Sequence, residues 1–499
     1  MAVFTCKTYF DCVNGATDYV ARFPTSLDFP ALIFCEDKLT MTVETALAEK
    51  TGGNFNVEVT SLGRYASTRL KKRNYLSKEG AAMAVKKILT NVAPNLSALK
   101  KAAASPTLAS ETGELIAQLK SAKIRPDELL AATDGLEGKS AAKIRDVANI
   151  FAEYERFLAE NGLTDSNNAL SDISEAIAAD ELLPRSAVVF LGFSSVTRQS
   201  ADAITAIARA AKSADFFAVK GDNPDLFTNE FYDFVKKFDP SPKATVSTLT
   251  DEGERLLNGL FNPTTFTVKG TRTDKIHLFE ADDAAEEAEY VAKRIRREVI
   301  ENGARYRDIA VGAGDYAAYA LTLKRKLSDY GVPYYSDEKT LLSSLPVSKL
   351  VNSLFSAIYR RSLDDAKDVI ANCLFISDRA DSDRIIRSLN ASSSTYKSFI
   401  DGKFRVGDAL ADGKIELLVK YLTRVKRSDT AIAYAAAVRA FLDECGADEN
   451  AAVTAEKLRG LSSDENAALL ESEKDAFLSV VEETERVLGD SVIPLDAYR

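Results

Sequence analysis

The sequence predicts an α/β fold: parallel sheets whose strands are separated by helices, with long all-helical insertions. Three observations carry this reading. Short apolar runs bounded by turn residues recur at Ala31 to Cys35, Ala187 to Phe193 and Asp215 to Lys220, as expected of strands buried on both faces. Helical patterns lie between those runs, and strands joined through helices pair in parallel. Residues from about Ser77 to Ala179, and again from about Val347 onward, carry helical spacing only.

The elements follow in order. Pro30 precedes the first clear strand, and Leu39 to Lys50 has helical spacing. Phe55 to Thr60 alternates apolar and polar residues as a half-buried strand does. Ser77 is a plausible N-cap for the first helix of the insertion, without a full capping box because Glu79 follows only two residues later. Further helices are expected over Glu111 to Ala122, Arg125 to Ala132 and Ala141 to Asn161, the last stopped by Asn161-Gly162. The strand Ala187 to Phe193 then leads into a helix at about Gln199 to Lys212 and the strand Asp215 to Lys220. After a linker at Asn262-Pro263-Thr264-Thr265, strands are expected at Ile276 to Glu280 and Asp308 to Gly312, with a third opening at Pro333-Tyr334-Tyr335. Helices at Ala284 to Asn302 and Ala317 to Tyr330 separate them. This gives a first α/β domain from 1–75 plus 185–270, a helical insertion at 76–184, the first part of a second α/β domain at 271–350, and a second helical insertion at 351–499. Pro494-Leu495-Asp496 reads as a helix start cut short, so a piece of a longer protein is expected.

Composition narrows the function. A chain of 499 residues exceeds one core and implies two to four domains. No apolar run approaches the roughly 20 residues needed to span a bilayer, and MAVFTCKTYFD lacks the basic-then-apolar order of a signal peptide. No membrane association and a cytoplasmic location are therefore expected. Cys6, Cys12, Cys35, Cys373 and Cys445 are scattered, which suits reduced thiols. His277 is the only histidine, so triads and imidazole metal sites are nearly excluded. The net charge of −10 argues against non-specific coating of nucleic acid but leaves room for a local basic groove. Basic clusters at Arg69 to Arg73, Lys293 to Arg297 and Arg424 to Arg427 read as solvated helix faces.

The nucleotide motifs fail. A phosphate loop needs glycine amides close to the phosphates and a lysine that reaches them. Lys7-Thr8 imitates the end of that motif, but Gly15 is the first glycine of the chain. A magnesium-holding strand should end in a carboxylate; the strand over Val188 to Phe193 ends in Gly192-Phe193-Ser194-Ser195. Gly312-Ala313-Gly314 lacks the third glycine of a dinucleotide fingerprint, which counts against an unrelated nucleotide-using enzyme. No metal site and no catalytic residue is expected.

Two blocks carry a resemblance. Arg305-Tyr306-Arg307-Asp308-Ile309-Ala310-Val311 followed by Gly331-Val332-Pro333-Tyr334-Tyr335, after the acidic helix start Glu286-Glu287-Ala288-Glu289, resembles superfamily 1 helicases. Within them, Leu32 to Lys38 with Thr40 and Glu44, Val59 to Ala66, and Leu191 to Gln199 resemble the AddB family of helicase–nuclease subunits. The resemblance covers nearly the whole chain through degenerate motifs. It implies two helicase-like, P-loop-type sheet domains, each with a helical insertion. Some AddB relatives keep the phosphate loop, and this chain departs from them there. The superfamily's phosphate-sensing arginine is also missing after Ile309-Ala310-Val311, where Gly312-Ala313-Gly314-Asp315 follows.

The resemblance further implies a subunit of an ATP-dependent exonuclease in double-strand-break repair and recombination. Its partners would be single-stranded and duplex DNA and an AddA-type helicase–nuclease subunit. A nuclease domain with magnesium and an iron–sulfur cluster would lie beyond this chain, leaving no cofactor within it. The DNA-reading positions implied are Lys38, Thr40, Ser61, Arg64 and Tyr65, with Lys7 and Thr8 as a degenerate nucleotide loop. Thr40 and Arg64 match the family pattern; Lys38 stands for a glutamine, Leu62 for a phenylalanine and Ser67 for a tryptophan. Fewer aromatics weaken base stacking. The leading expectation is a non-hydrolysing module that grips or scans single-stranded DNA. The alternative is a scaffold for the AddA-type partner with little DNA affinity of its own.

Overall fold

The computed structural model describes residues 1–24, 26–53, 55–70, 75–165, 170, 172–220, 229–249, 253, 276–336, 340–461 and 463–498. The Lys71-Lys72-Arg73 part of the first basic cluster and the linker at 262–265 lie outside them. Two compact units are present: Met1–Phe266 with Leu345–Arg499, and Thr267–Ser344.

The first unit is built on a six-stranded sheet. Its strands are β1 (Val3–Cys6), β2 (Ala31–Phe34), β3 (Val57–Thr60), β6 (Ala187–Leu191), β7 (Ser213–Val219) and β8 (Lys243–Ala244). They lie in the order β3-β2-β6-β7-β1-β8, and every pairing is parallel. Helices α1 (Tyr9–Val20) and α2 (Thr40–Thr51) cover one face through Cys12, Val13, Ala16, Val43 and Leu47. Helices α3 (Leu62–Arg69), α8 (Ile173–Ala179), α9 (Arg198–Ala210) and α10 (Glu230–Val235) cover the other. The register sets Phe34 opposite Phe190 and Phe190 opposite Phe216. Their rings stack at 5.1 and 5.3 Å across three neighbouring strands, which fixes that register. Gly15 sits inside α1, where a Cβ would press on Thr245 and Phe217 at 3.2 and 3.3 Å. It is a packing glycine, not a phosphate-loop glycine.

The helical insertion contains α4 (Lys78–Val92), α5 (Pro106–Ser121), α6 (Pro126–Ala131) and α7 (Gly138–Glu160). Two-residue strands β4 (Tyr75–Leu76) and β5 (Thr164–Asp165) pair in parallel where the chain enters and leaves it. Ser77 caps α4 by accepting from the Gly80 N–H, and Asn161-Gly162 closes α7. Residues 346–498 are mostly helical. The reading of this stretch as helical to the end is corrected at one place: Ser428–Thr430 and Val492–Pro494 pair as antiparallel strands. Three-residue strands between helices carry too few positions to show an alternation. The long helix Asp464–Leu488 packs on α4, where the Ser77 N–H and hydroxyl both donate to Glu483. Among the described residues no helix is long and apolar enough to cross a membrane.

The second unit holds helices Ala284–Asn302 and Tyr316–Asp329, packed through Ala288, Ala292, Ile295, Leu323 and Leu327. The strands expected at 276–280, 308–312 and 333–335 are not formed among the described residues. A strand needs a neighbour for its backbone N–H and C=O groups, and no described segment pairs with these three to supply one. Leu278 is left fully exposed, Phe279 stacks on Tyr290 instead, and Tyr306–Asp308 closes a single 3-10 turn.

Two outcomes follow for stability. Glycine to alanine inside a helix ordinarily stabilises by up to about 1 kcal/mol. Gly80→Ala is expected to do the opposite, because its Cβ would overlap the buried Glu483 carboxyl. A lowered urea midpoint for Gly80→Ala, recovered when Glu483→Ala is added, is the expected pattern. Separately, Glu473 is buried and accepts from the Val347 N–H at 2.8 Å. Burial pushes its carboxyl up to about 7, against the smaller opposing effect of that hydrogen bond. The unfolded value is about 4.3, so the folded chain holds the proton more tightly. The stabilising contribution is complete below about pH 4.3 and is lost as pH rises to about 7. Glu473→Gln should flatten that part of a denaturation-versus-pH curve.

Candidate functional site

All strands of the first sheet run the same way, so the loops after β1, β2, β3 and β6 open on one edge. In sheets of this type ligands bind outside the carboxyl ends of the strands. The site is described loop by loop along that edge.

Only Lys7 and Thr8 separate β1 from α1, too few residues to wrap a phosphate. Thr8 is the N-cap: its hydroxyl accepts from the Asp11 N–H at 3.1 Å, and its own N–H donates to Asp11 Oδ2 at 3.1 Å. The Thr248 N–H and hydroxyl both donate to Asp11 Oδ1, at 2.8 and 2.6 Å. Asp11 is 1 % exposed. Burial alone would raise its pKa, but the hydrogen bonds from Thr248 and Thr8 outweigh it and hold the carboxyl below the usual range. A helix N-terminus offers free amides and a positive dipole end to an anion. Here the chain's own carboxylate sits in the first turn of that helix and accepts from the N-cap Thr8 N–H and from Thr248, while the Asp11 N–H goes to the Thr8 hydroxyl. Lys7 is half-buried beside it.

The loop after β6 carries no carboxylate of its own. Gly192 turns it with φ +71°, and Phe193 is buried against Phe231. The Ser194 N–H and hydroxyl donate to Glu36 of the β2 loop at 2.8 and 2.6 Å. Glu36 also pairs with Lys38 at 2.9 Å. Its burial is outweighed by Ser194 and Lys38, so its pKa is lowered. Among the described residues, no group of three His, Cys, Asp or Glu side chains could hold a metal ion.

The DNA-reading candidates divide by exposure. The side chains of Lys38 and Arg64 are 70 % and 53 % exposed, and Arg64 lies 3.9 Å from Asp37. Both cations therefore face the same acidic turn, Glu36-Asp37. Thr40 and Ser61 are buried and hold backbone. Thr40 donates to the Asp37 carbonyl at 2.9 Å, and Ser61 caps α3 by accepting from the Arg64 N–H at 3.2 Å. Tyr65 has no exposed surface. Its ring meets Phe34 edge-on at 5.2 Å and lies under the Arg69 guanidinium at 4.8 Å. Tyr65 is thus a core residue and cannot stack on a passing base. Sequence reasoning missed Tyr9, Asp11, Glu36, Ser194 and Thr248. For Asp11 the signal was present: Thr8-x-x-Asp11 ahead of an apolar helix is a capping-box pattern.

Strand order and site together define a helicase-like α/β domain with a helical insertion, in which the first helix carries its own anion. Residues 27–239 match the family described as "ADDB, N-terminal". The chain is similar to proteins named as the B subunits of an "ATP-dependent helicase/deoxyribonuclease". It is 26 % identical over 360 residues to that of Geobacillus kaustophilus, covering 65 % of this chain and 31 % of the relative. The protein of Pelotomaculum thermopropionicum is 26 % identical over 368 residues, covering 66 % and 31 %. That of Listeria monocytogenes is 22 % identical over 356 residues, covering 64 % and 30 %. The match thus spans under a third of the length of each of these relatives.

Asp11→Ala removes the acceptor of the Thr8 and Thr248 donors; Thr8 is half-buried and Thr248 exposed, so the loss is that of ordinary hydrogen bonds, about 0.5–1.5 kcal/mol each. The expected result is a lower urea midpoint at neutral pH. Because the folded pKa is depressed, the contribution of Asp11 is complete above its unfolded value of about 3.9 and fades as pH falls through the folded one. The gap between wild type and Asp11→Ala should therefore narrow only below about pH 4.

Proposed function

We propose that this chain is the helicase-like N-terminal portion of an AddB-type helicase–nuclease subunit, and that it grips single-stranded DNA without hydrolysing ATP. In this reading it works in the cytoplasm with an AddA-type partner on broken duplex DNA during repair and recombination. The observation that carries the non-hydrolysing part is Asp11, held by Thr8 and Thr248 in the first turn of α1. The family match of residues 27–239 and the names of the relatives support the setting. Lys38 and Arg64, two of the exposed cations at the carboxyl edge, are assigned to DNA phosphates; Thr40 and Ser61 hold the loops that present them. Phosphate contacts position a strand without reading its sequence.

A scaffold role is the second reading. It is favoured by the net charge of −10 and by the placing of Glu36 and Asp37 against the two cations.

Fluorescence anisotropy with labelled oligo(dT) over a salt series separates the two. Under the DNA-gripping reading, log affinity falls linearly with log salt, with a slope near −0.7 per phosphate contacted. Arg64→Glu then weakens binding and flattens the slope. Absence of binding at low salt, or binding that Arg64→Glu leaves unchanged, would favour the scaffold.

A further inference from the structure

Tyr65 and Phe193 are buried, and Leu62 and Ser67 are not aromatic. The edge that presents Lys38 and Arg64 therefore needs another ring if bases are to stack there. Tyr9 is the first residue of α1, directly after the Thr8 cap, and is 40 % exposed. Its ring lies against Gly192: a Cβ on that glycine would stand 3.9 Å from Tyr9 Cδ1 and 2.9 Å from Leu39 Cδ1. The missing side chain thus lets the loops after β1, β2 and β6 converge under the ring. Near its far end stand Asn229, Glu36 and Lys38. Asn229 is itself fixed, its side-chain carbonyl accepting from the Tyr232 N–H at 3.0 Å. A ring already packed beside Gly192 has less freedom left to lose when a flat partner lies on it.

We propose that Tyr9 is the base-stacking residue of this edge, taking one nucleobase of a single strand whose phosphates meet Lys38 and Arg64. The proposal rests on the DNA-gripping reading above. An aromatic face accepts any base, so Tyr9 adds affinity without sequence preference. It also compensates for the aromatics absent at Leu62 and Ser67.

The chain contains no tryptophan, so Tyr9→Trp places a single reporter at the site. Oligo(dT) should quench that fluorescence, with affinity close to wild type. Tyr9→Ala should weaken oligo(dT) binding about 5- to 150-fold, the loss of one stacked base. Tyr9→Phe, which keeps the ring, should restore it. Phe55→Ala, at the opposite edge of the sheet, and Phe10→Ala, next in α1, should each stay within about twofold if one stacked base accounts for the loss. Circular dichroism confirms that each variant is folded. Wild-type binding with no quenching in Tyr9→Trp and no loss in Tyr9→Ala overturns the assignment of Tyr9 and leaves the DNA-gripping reading standing. No wild-type binding at any salt overturns both. Loss in Phe10→Ala but not in Tyr9→Ala moves the stacking role off Tyr9 and overturns the proposal.

Discussion

The arrangement at the carboxyl edge depends on one carboxylate. Asp11 takes the Thr8 N–H at the start of α1 and two donors from Thr248, far along the chain. It thereby fixes where β1 ends, where α1 begins and how the segment after β8 lies against them. In a nucleotide-binding sheet the amides of the first helical turn serve a phosphate; here an aspartate of the chain stands in that turn. Supplying the anion from the chain makes the helix start independent of a ligand. The same constraint leaves Tyr9 and Phe10, the two residues between the Thr8 cap and the buried Asp11, as exposed aromatics.

In the proposed reading, the loss of nucleotide chemistry and the survival of a binding edge are two sides of one geometry. The β6 loop, where a metal-holding acid would stand, is turned by Gly192 and tied through Ser194 to Glu36. That tie draws the β2 and β6 loops together and holds Lys38 beside them. The strands are rigid and parallel, so the loops stay in register as a row of contacts. A row of contacts suits a strand of DNA better than a small ligand, which needs a concave pocket.

Much of the first sheet was legible in the sequence. β2 and β6 are unbroken apolar runs, β7 is apolar apart from Ser213 and Asp215, and β3 alternates. β8, with two residues, was hidden because nothing that short carries a period. The three strands expected in 276–335 show the opposite failure. Ile276 to Glu280 has the composition of a strand, but composition cannot supply a neighbour to pair with. At the site, exposure decided the outcome. Lys38 and Arg64 are exposed at the carboxyl edge, whereas Tyr65 shares the stripe of Leu62 and Ala66 that faces the sheet. That spacing was readable, and the resemblance to a DNA-contacting motif outweighed it. Thr8-x-x-Asp11 was equally readable as a cap, but Lys7-Thr8 drew attention as the remnant of a phosphate loop.

The central claim of the proposed reading is that the first turn of α1 carries its own carboxylate where a phosphate would otherwise sit, so that the chain does not bind a nucleoside triphosphate. Isothermal titration of the full chain with ATP and magnesium tests it most directly. The account predicts no saturable heat at any ATP concentration up to the upper end of the usual enzyme KM range, about 1 mM. Tight, saturable ATP binding by wild-type protein, abolished by substitution of Lys7, would contradict it.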